Sequence, residues 1–215
     1  MKKYIFTEEE KERIQQAVKD LEKQSCGEIV PFFARKSDEY EEVPWKLASI
    51  SGLSCLCFVA FLSYTWSLPN VSVLLIAFII IVMMTIGYLI PVLFPIIKRT
   101  LVAREKMTQM VSKGAKEAFL EEKVHETAEH VGILIYISRL EHIVMVLGDE
   151  GINQKVQQED WERVIALITD GLKKKNIGDG LVNGINHCKE LLLQNGFIRK
   201  ESDTNELSDE LRVKE

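Results

Sequence analysis

The chain has 215 residues, 47% of them hydrophobic and 27% charged, with a net charge of −5. That length fits one or two domains, and so mild an acidic balance excludes the clustered basic face that nucleic acid requires. The four cysteines have no metal-ligand spacing: Cys55 and Cys57 lie in an apolar stretch and Cys26 and Cys188 are far apart, so free thiols in a reducing compartment are the simplest reading.

The opening run MKKYIFTEEEKERIQQ is charged where a signal peptide would be apolar, so no leader is expected. Thr7-Glu8-Glu9-Glu10 fits a capping box for a helix that carries Ile14, Val18 and Leu21 on one face. Ser25-Cys26-Gly27 ends that helix, and EIVPFFAR (Glu28 to Arg35) is strand-like. Pro31 cannot donate to a ladder, which predicts an edge position or a bulge there.

From Leu47 to Ile97 no residue is charged, with Lys46 on one side and Lys98-Arg99 on the other. A bilayer core about 30 Å thick takes ~20 apolar residues per helix, so the stretch holds two transmembrane spans and a turn. Ser67 to Asn70 supplies the turn, and Tyr64 and Trp66 suit the water–lipid boundary. The spans are Leu47 to Trp66 and Val71 to about Ile97, the second kinked or ended early by Pro91 and Pro95. The soluble alternative is a pair of buried core helices. Arg35, Lys36 and Lys46 flank one span, Lys98, Arg99, Arg104 and Lys106 the other, and the turn has no cation. The positive-inside rule therefore predicts a plasma (inner) membrane protein with both termini cytoplasmic. The acids Asp38, Glu39, Glu41 and Glu42 weigh little in that count. Ala48, Ser51, Gly52 and Ser54 are small residues at a spacing suited to helix contact, so a homo-oligomer through the spans is one expectation.

Leu101 to about His130 is predicted helical, with Met107, Met110, Val111, Ala118 and Phe119 turned inward. GILIYIS (Gly132 to Ser138) and HIVMVLG (His142 to Gly148) read as an antiparallel β-hairpin. Trp161, Val164, Ile165, Ile168 and Leu172 recur at helical spacing. A last helix carries Leu181, Val182, Ile185, Cys188 and Leu192 inward, with Asp179 as its cap. A fourth strand is either a short piece near Asn176 to Gly178 or absent, and the tail from Arg199 to Glu215 is polar and mobile.

A helix and one strand cannot bury a core alone, so the first soluble piece must borrow strands from the second. The predicted fold is α/β, a small mixed β-sheet flanked by helices and interrupted by a two-helix transmembrane hairpin. The boundaries are 1–45 for the first part of the domain, 46–98 for the hairpin, 99–198 for the second part and 199–215 for the flexible tail.

HETAEH (His125 to His130) puts its histidines at i and i+5, which turns the second ring about 140° from the face a zinc-protease pair would share. LGDEGIN follows a strand; there Asp149 and Glu150, with Asp179, are the candidate ligands for Ca²⁺ or Mg²⁺, since hard cations want several oxygens. The plainer reading of Asp149-Glu150-Gly151 is a turn with Gly151 at positive φ. IGDGLVNG has neither nucleotide-binding glycine pattern. Lys173-Lys174-Lys175 suits a helix C-terminus, or anionic lipid headgroups. Trp161 and Cys188 read as core.

FTEEEKERI, SCGEIVPFFARKSDEY, VHETAEHVGILIYIS, VLGDEGI and QQEDWERVI together resemble the TPM domain family, over about Phe6 to Phe197. The nearest resemblance is to its bacterial membrane branch, in which a pair of spans interrupts the domain after the first strand. The resemblance implies a mostly four-stranded sheet with helices packed on it, and it matches His125 to a histidine of that branch. It also implies a role in the upkeep or assembly of membrane complexes, with acid phosphatase activity and divalent-metal binding as the alternatives. Here the Gly-aromatic-Gly-Leu-Glu turn of the family's exported members is replaced by Asp149-Glu150-Gly151-Ile152-Asn153. The expected function is therefore an integral membrane protein whose cytoplasmic domain binds or maintains membrane protein assemblies. Its expected partners are the lipid bilayer and other membrane proteins, not nucleic acid; the alternative is a metal-assisted phosphatase.

Overall fold

Thr7 caps the first helix, α1 (Glu8–Glu22), as its sequence predicts. Its side-chain oxygen accepts from the Glu10 N–H at 3.1 Å, and the Glu10 carboxylate accepts from the Thr7 N–H at 2.8 Å. The computed structural model describes residues 6–65, 71–201 and 203–214. They fall into two units: Glu39–Arg104, and a second that joins Lys3–Asp38 to Glu105–Glu215.

The second unit is built on four strands, β1 (Glu28–Ala34), β2 (Gly132–Ser138), β3 (Ile143–Gly148) and β4 (Arg212–Lys214), in the order β3-β2-β1-β4. β2 and β3 form the expected antiparallel hairpin, with Ile133 opposite Gly148 and Ser138 opposite Ile143. β1 runs parallel to β2 without a bulge, from Glu28 opposite Gly132 to Ala34 opposite Ser138. The mixed sheet is thus as predicted, but its fourth strand is neither absent nor at Asn176 to Gly178. It comes from the tail, where Arg212–Lys214 pair in parallel with Phe32–Ala34. The segment expected to be flexible is folded onto the sheet, because the outer side of β1 otherwise has unpaired backbone groups.

Side chains of a strand alternate between faces, and here both faces are covered. Ile29, Phe33, Ile133, Ile135 and Ile137 share a core with α1, α7 (Glu162–Lys173) and α8 (Ile177–Gln194), including Trp161, Ile168, Leu181, Ile185 and Cys188. On the other face Phe32 stacks on Tyr136 at 5.3 Å, and the Tyr136 hydroxyl lies 2.7 Å from where a Cβ on Gly114 of α5 (Arg104–Glu121) would be. Burial on both faces explains why GILIYIS is a continuous apolar run. Helix α5 is shorter than the predicted Leu101 to His130. It ends at Glu121, and Lys123 then takes a left-handed φ of 58°. Met107, Val111 and Ala118 are buried as expected, whereas Met110 and Phe119 are half-buried.

The first unit holds α2 (Glu42–Tyr64), α3 (Val73–Leu93) and α4 (Pro95–Leu101). Both longer helices are long and apolar enough to cross a membrane. They pack through small residues: a Cβ on Gly52 would lie 2.6 Å from Met84, and one on Gly87 would lie 2.4 Å from the Ser51 hydroxyl. Ala48 and Gly52 are buried within the hairpin, so the stripe of small residues is used by α3. The second long helix ends early, as its prolines predict. Pro91 stays inside α3, Phe94 leaves the helical region (φ −120°, ψ 80°) as a residue before proline does, and Pro95 opens α4. The turn expected at Ser67 to Asn70, and Trp66, lie outside the described residues.

Candidate functional site

At the end of the sheet where β1 and β2 begin, three segments enclose a cavity of about 190 Å³: the α1–β1 connection, the loop Thr127–Val131 and the chain from Arg199 to Glu206. Its floor holds two buried carboxyls. Glu22, the last residue of α1, is 5% exposed and Glu28, the first of β1, 7%. One Glu22 oxygen accepts from the Ile29 N–H at 3.3 Å and the other from the Asn205 amide at 3.2 Å. The Glu28 carboxylate accepts from the Glu206 and Leu207 N–H groups at 3.3 and 3.2 Å. Burial, then the neighbouring Glu28, push the Glu22 carboxyl up to about 9. Burial also raises Glu28, against the two backbone N–H groups that lower it. Glu22 is therefore a neutral acid near pH 7, able to donate a hydrogen bond to Asp209, one of its neighbours.

More acids, Glu129, Asp203 and Glu206, line the rim, against the cations Arg199 and Lys200. Arg199 is spent on backbone, donating to the Glu22 carbonyl at 2.7 Å and the Asp203 carbonyl at 3.0 Å. Lys200 holds Glu129 at 2.5 Å. Cys26 also lines the cavity, its thiol raised by burial and by the charge of Glu129. A thiol held protonated is a poor nucleophile.

The residues singled out for metal binding are placed apart from this cavity and have other partners. Asp149 precedes the short helix α6 (Glu150–Asn153), and its carboxylate lies 3.1 Å from Nδ1 of His130. Glu150 is exposed. Asp179 is not the cap of α8, a position Asn176 holds. It lies in the first turn, accepting from the Asn176 amide and the Arg13 guanidinium, each at 2.5 Å, and both hold its carboxyl below the usual range. Among the described residues, no group of three or more His, Cys, Asp or Glu is placed to hold a metal ion. In this structure Asp149, Glu150 and Asp179 are therefore not brought together as the several converging oxygens that Ca²⁺ or Mg²⁺ takes.

Gly151 does not take positive φ; it lies within α6. Glycine is required there for space, since a Cβ would lie 2.7 Å from the carbonyl oxygens of Glu129 and His130. His125 stands in a 3₁₀ turn against Phe119, and His130 in the loop beyond at φ 54°, so the two do not form a ligand pair. Sequence reasoning missed Glu22 and Glu28. The available signal was an acid at each end of Ser25-Cys26-Gly27, facing an acid-rich tail.

Residues 96–191 match the family model described as the TPM domain. No curated protein matches the chain. Among solved structures, the NMR structure of the BA42 protein from the psychrophilic bacterium Bizionia argentinensis aligns over 99% of this chain and 98% of its own, with a TM-score of 0.59 and 19% identity. At that identity the likeness concerns the fold. The match spans residues 96–191, and over that stretch the chain is similar to the TPM domain.

Proposed function

We propose that this chain is an integral membrane protein anchored by α2 and α3, with both termini in the cytoplasm. Its TPM domain is then a binding or maintenance module for membrane protein assemblies. The observation that carries the reading is the outward-facing apolar surface of the two helices. Leu53, Phe58 and Phe78 are each 62% exposed and Leu74 81%. A core helix of a soluble protein would bury such side chains, and water would oppose a patch of this size. Trp45 and Tyr88 meet edge to face at 5.1 Å beside Lys46, a pairing suited to the lipid boundary. Anchoring holds the domain at high effective concentration beside other membrane proteins. Cross-linking in intact membranes followed by affinity capture should enrich a reproducible set of membrane proteins, lost when Glu22 and Glu28 are both replaced by lysine. A background-level yield with the intact protein would contradict the reading.

The rival, a metal-assisted phosphatase, would use Asp149 and its neighbours. With Asp149 held against His130, we expect the detergent-purified chain to hydrolyse a chromogenic phosphate monoester no faster than buffer, with or without Mg²⁺ or Ca²⁺. Metal-dependent turnover abolished by Asp149→Ala would reverse that conclusion.

A further inference from the structure

The outer edge of β1 is covered over three residues only, Phe32–Ala34, by β4. The Ile29 N–H points to that side, toward Glu22, and so does the Arg35 N–H, which donates to the Lys214 carbonyl at 3.0 Å. By the two-residue repeat of a strand, the Phe33 N–H points there as well, and Pro31 is where the edge lacks a donor. This accounts for a proline in an interior strand, and it sets where an added strand must stop.

The strand in place is basic and lightly held. Arg212 donates to the Glu122 carboxylate at 2.7 Å, both side chains being largely covered. Val213 is 50% exposed, and the tail's apolar contribution to the core is the partly buried Leu211. Before β4, the tail crosses the acidic floor on polar contacts: Asn205 to Glu22, and the Glu206 and Leu207 amides to Glu28. Part-buried hydrogen bonds of this kind contribute about 0.5–1.5 kcal/mol each, against the conformational freedom the tail gives up.

We infer that the outer edge of β1 is a strand-addition site for a basic, extended segment of another protein, occupied in cis by Arg212–Lys214. Backbone pairing with Phe33 and Arg35 supplies the affinity, and Glu122 selects a cation at the position Arg212 holds. When the tail leaves, the carboxyls of Glu22 and Glu28 lose their backbone and amide partners and add to the acidic field beside the edge. Short cytoplasmic loops of membrane proteins carry an excess of Lys and Arg, so they are the matching source of such a segment. In that choice of source the inference rests on the function proposed above.

The test uses the full chain in detergent micelles and a fluorescein-labelled peptide of sequence ELRVKE, residues 210–215. In the double variant Arg212→Glu, Lys214→Pro the internal strand loses its ion pair and the ladder donor that faces Phe33, while β1 is unchanged. We expect the peptide to bind this variant at least ten times more tightly than the wild type, by fluorescence anisotropy. Adding Glu122→Lys should return binding to the wild-type level. Amide exchange at Phe33 and Arg35 should be fast in the double variant and slow again with peptide. Equal binding to both proteins, no binding to a variant whose Phe33 and Arg35 amides exchange fast, or unchanged protection of those amides would each overturn the inference. Peptide binding by a protein that failed to associate with membranes would leave this site standing and sink the membrane role instead. Membrane association without peptide binding would do the reverse.

Discussion

Gly180→Leu is expected to destabilise the mixed-sheet unit by about 3 kcal/mol or more, the upper end of overpacking costs. A Cβ at Gly180 would lie 2.8 Å from Gly171 Cα, and one at Gly171 2.6 Å from Gly180 Cα. Helices α7 and α8 therefore meet backbone to backbone, and no rotamer change can relieve an added side chain. One turn further on, a Cβ at Gly184 would lie 2.5 Å from Ile168. Parting the helices would unseat Trp161, Val164 and Ile168 from Leu181, Ile185 and Leu192, all buried in one cluster. Asn183→Leu is the control, since Asn183 is exposed on the same helix, and a change there should stay within about 0.5 kcal/mol. Urea unfolding of the two variants in the same detergent measures the difference. Equal midpoints would show that the helices do not approach so closely.

The second large effect is on pH dependence. The Glu22 carboxyl stands at about 9 in the folded chain against 4.5 for the ordinary group. Between those values the folded state keeps a proton that the unfolded state gives up, so stability falls as pH rises through that window. At 1.36 kcal/mol per pK unit, the cost at pH 7 is about 3 kcal/mol, and it is absent below about pH 4.5. Glu22→Gln removes it. The amide oxygen can still accept from the Ile29 N–H, and the amide nitrogen can donate toward Asp209, at the loss of the Asn205 contact. The variant should therefore be more stable than the wild type at pH 7 and no more stable at pH 4. Parallel pH profiles for the two chains would contradict a neutral Glu22 in the native cavity.

Local rules carried far in this sequence. The Thr7–Glu10 capping box, the Gly132–Gly148 hairpin and the amphipathic helix after Trp161 each depend on residues close in the chain, and each formed as read. Two long apolar helices were legible from composition alone, and the end of the second was marked by Pro95. Long-range packing was not legible. Arg212–Lys214 is only three residues long and two of them are charged, so nothing local marks the segment as a strand; it becomes one because β1 has an open side. Gly171, Gly180 and Gly184 lie within helices that were predicted, but nothing local shows that they let those helices meet backbone to backbone. Glu28 was read as a strand start, and Glu22 lay unremarked in the first predicted helix. Their function as a site depends on a tail about 180 residues downstream in sequence folding over them, as the Glu28–Leu207 contact shows.

The most direct test of the account is the partition of the full-length chain in an alkaline carbonate wash of the membrane fraction. A protein anchored by α2 and α3 stays in the pellet after high-speed centrifugation at pH 11 and enters the supernatant only with detergent. Recovery in the supernatant without detergent, with the fold intact, would mean that protein rather than lipid covers Leu53, Phe58, Leu74 and Phe78, and the membrane-anchored reading would fall.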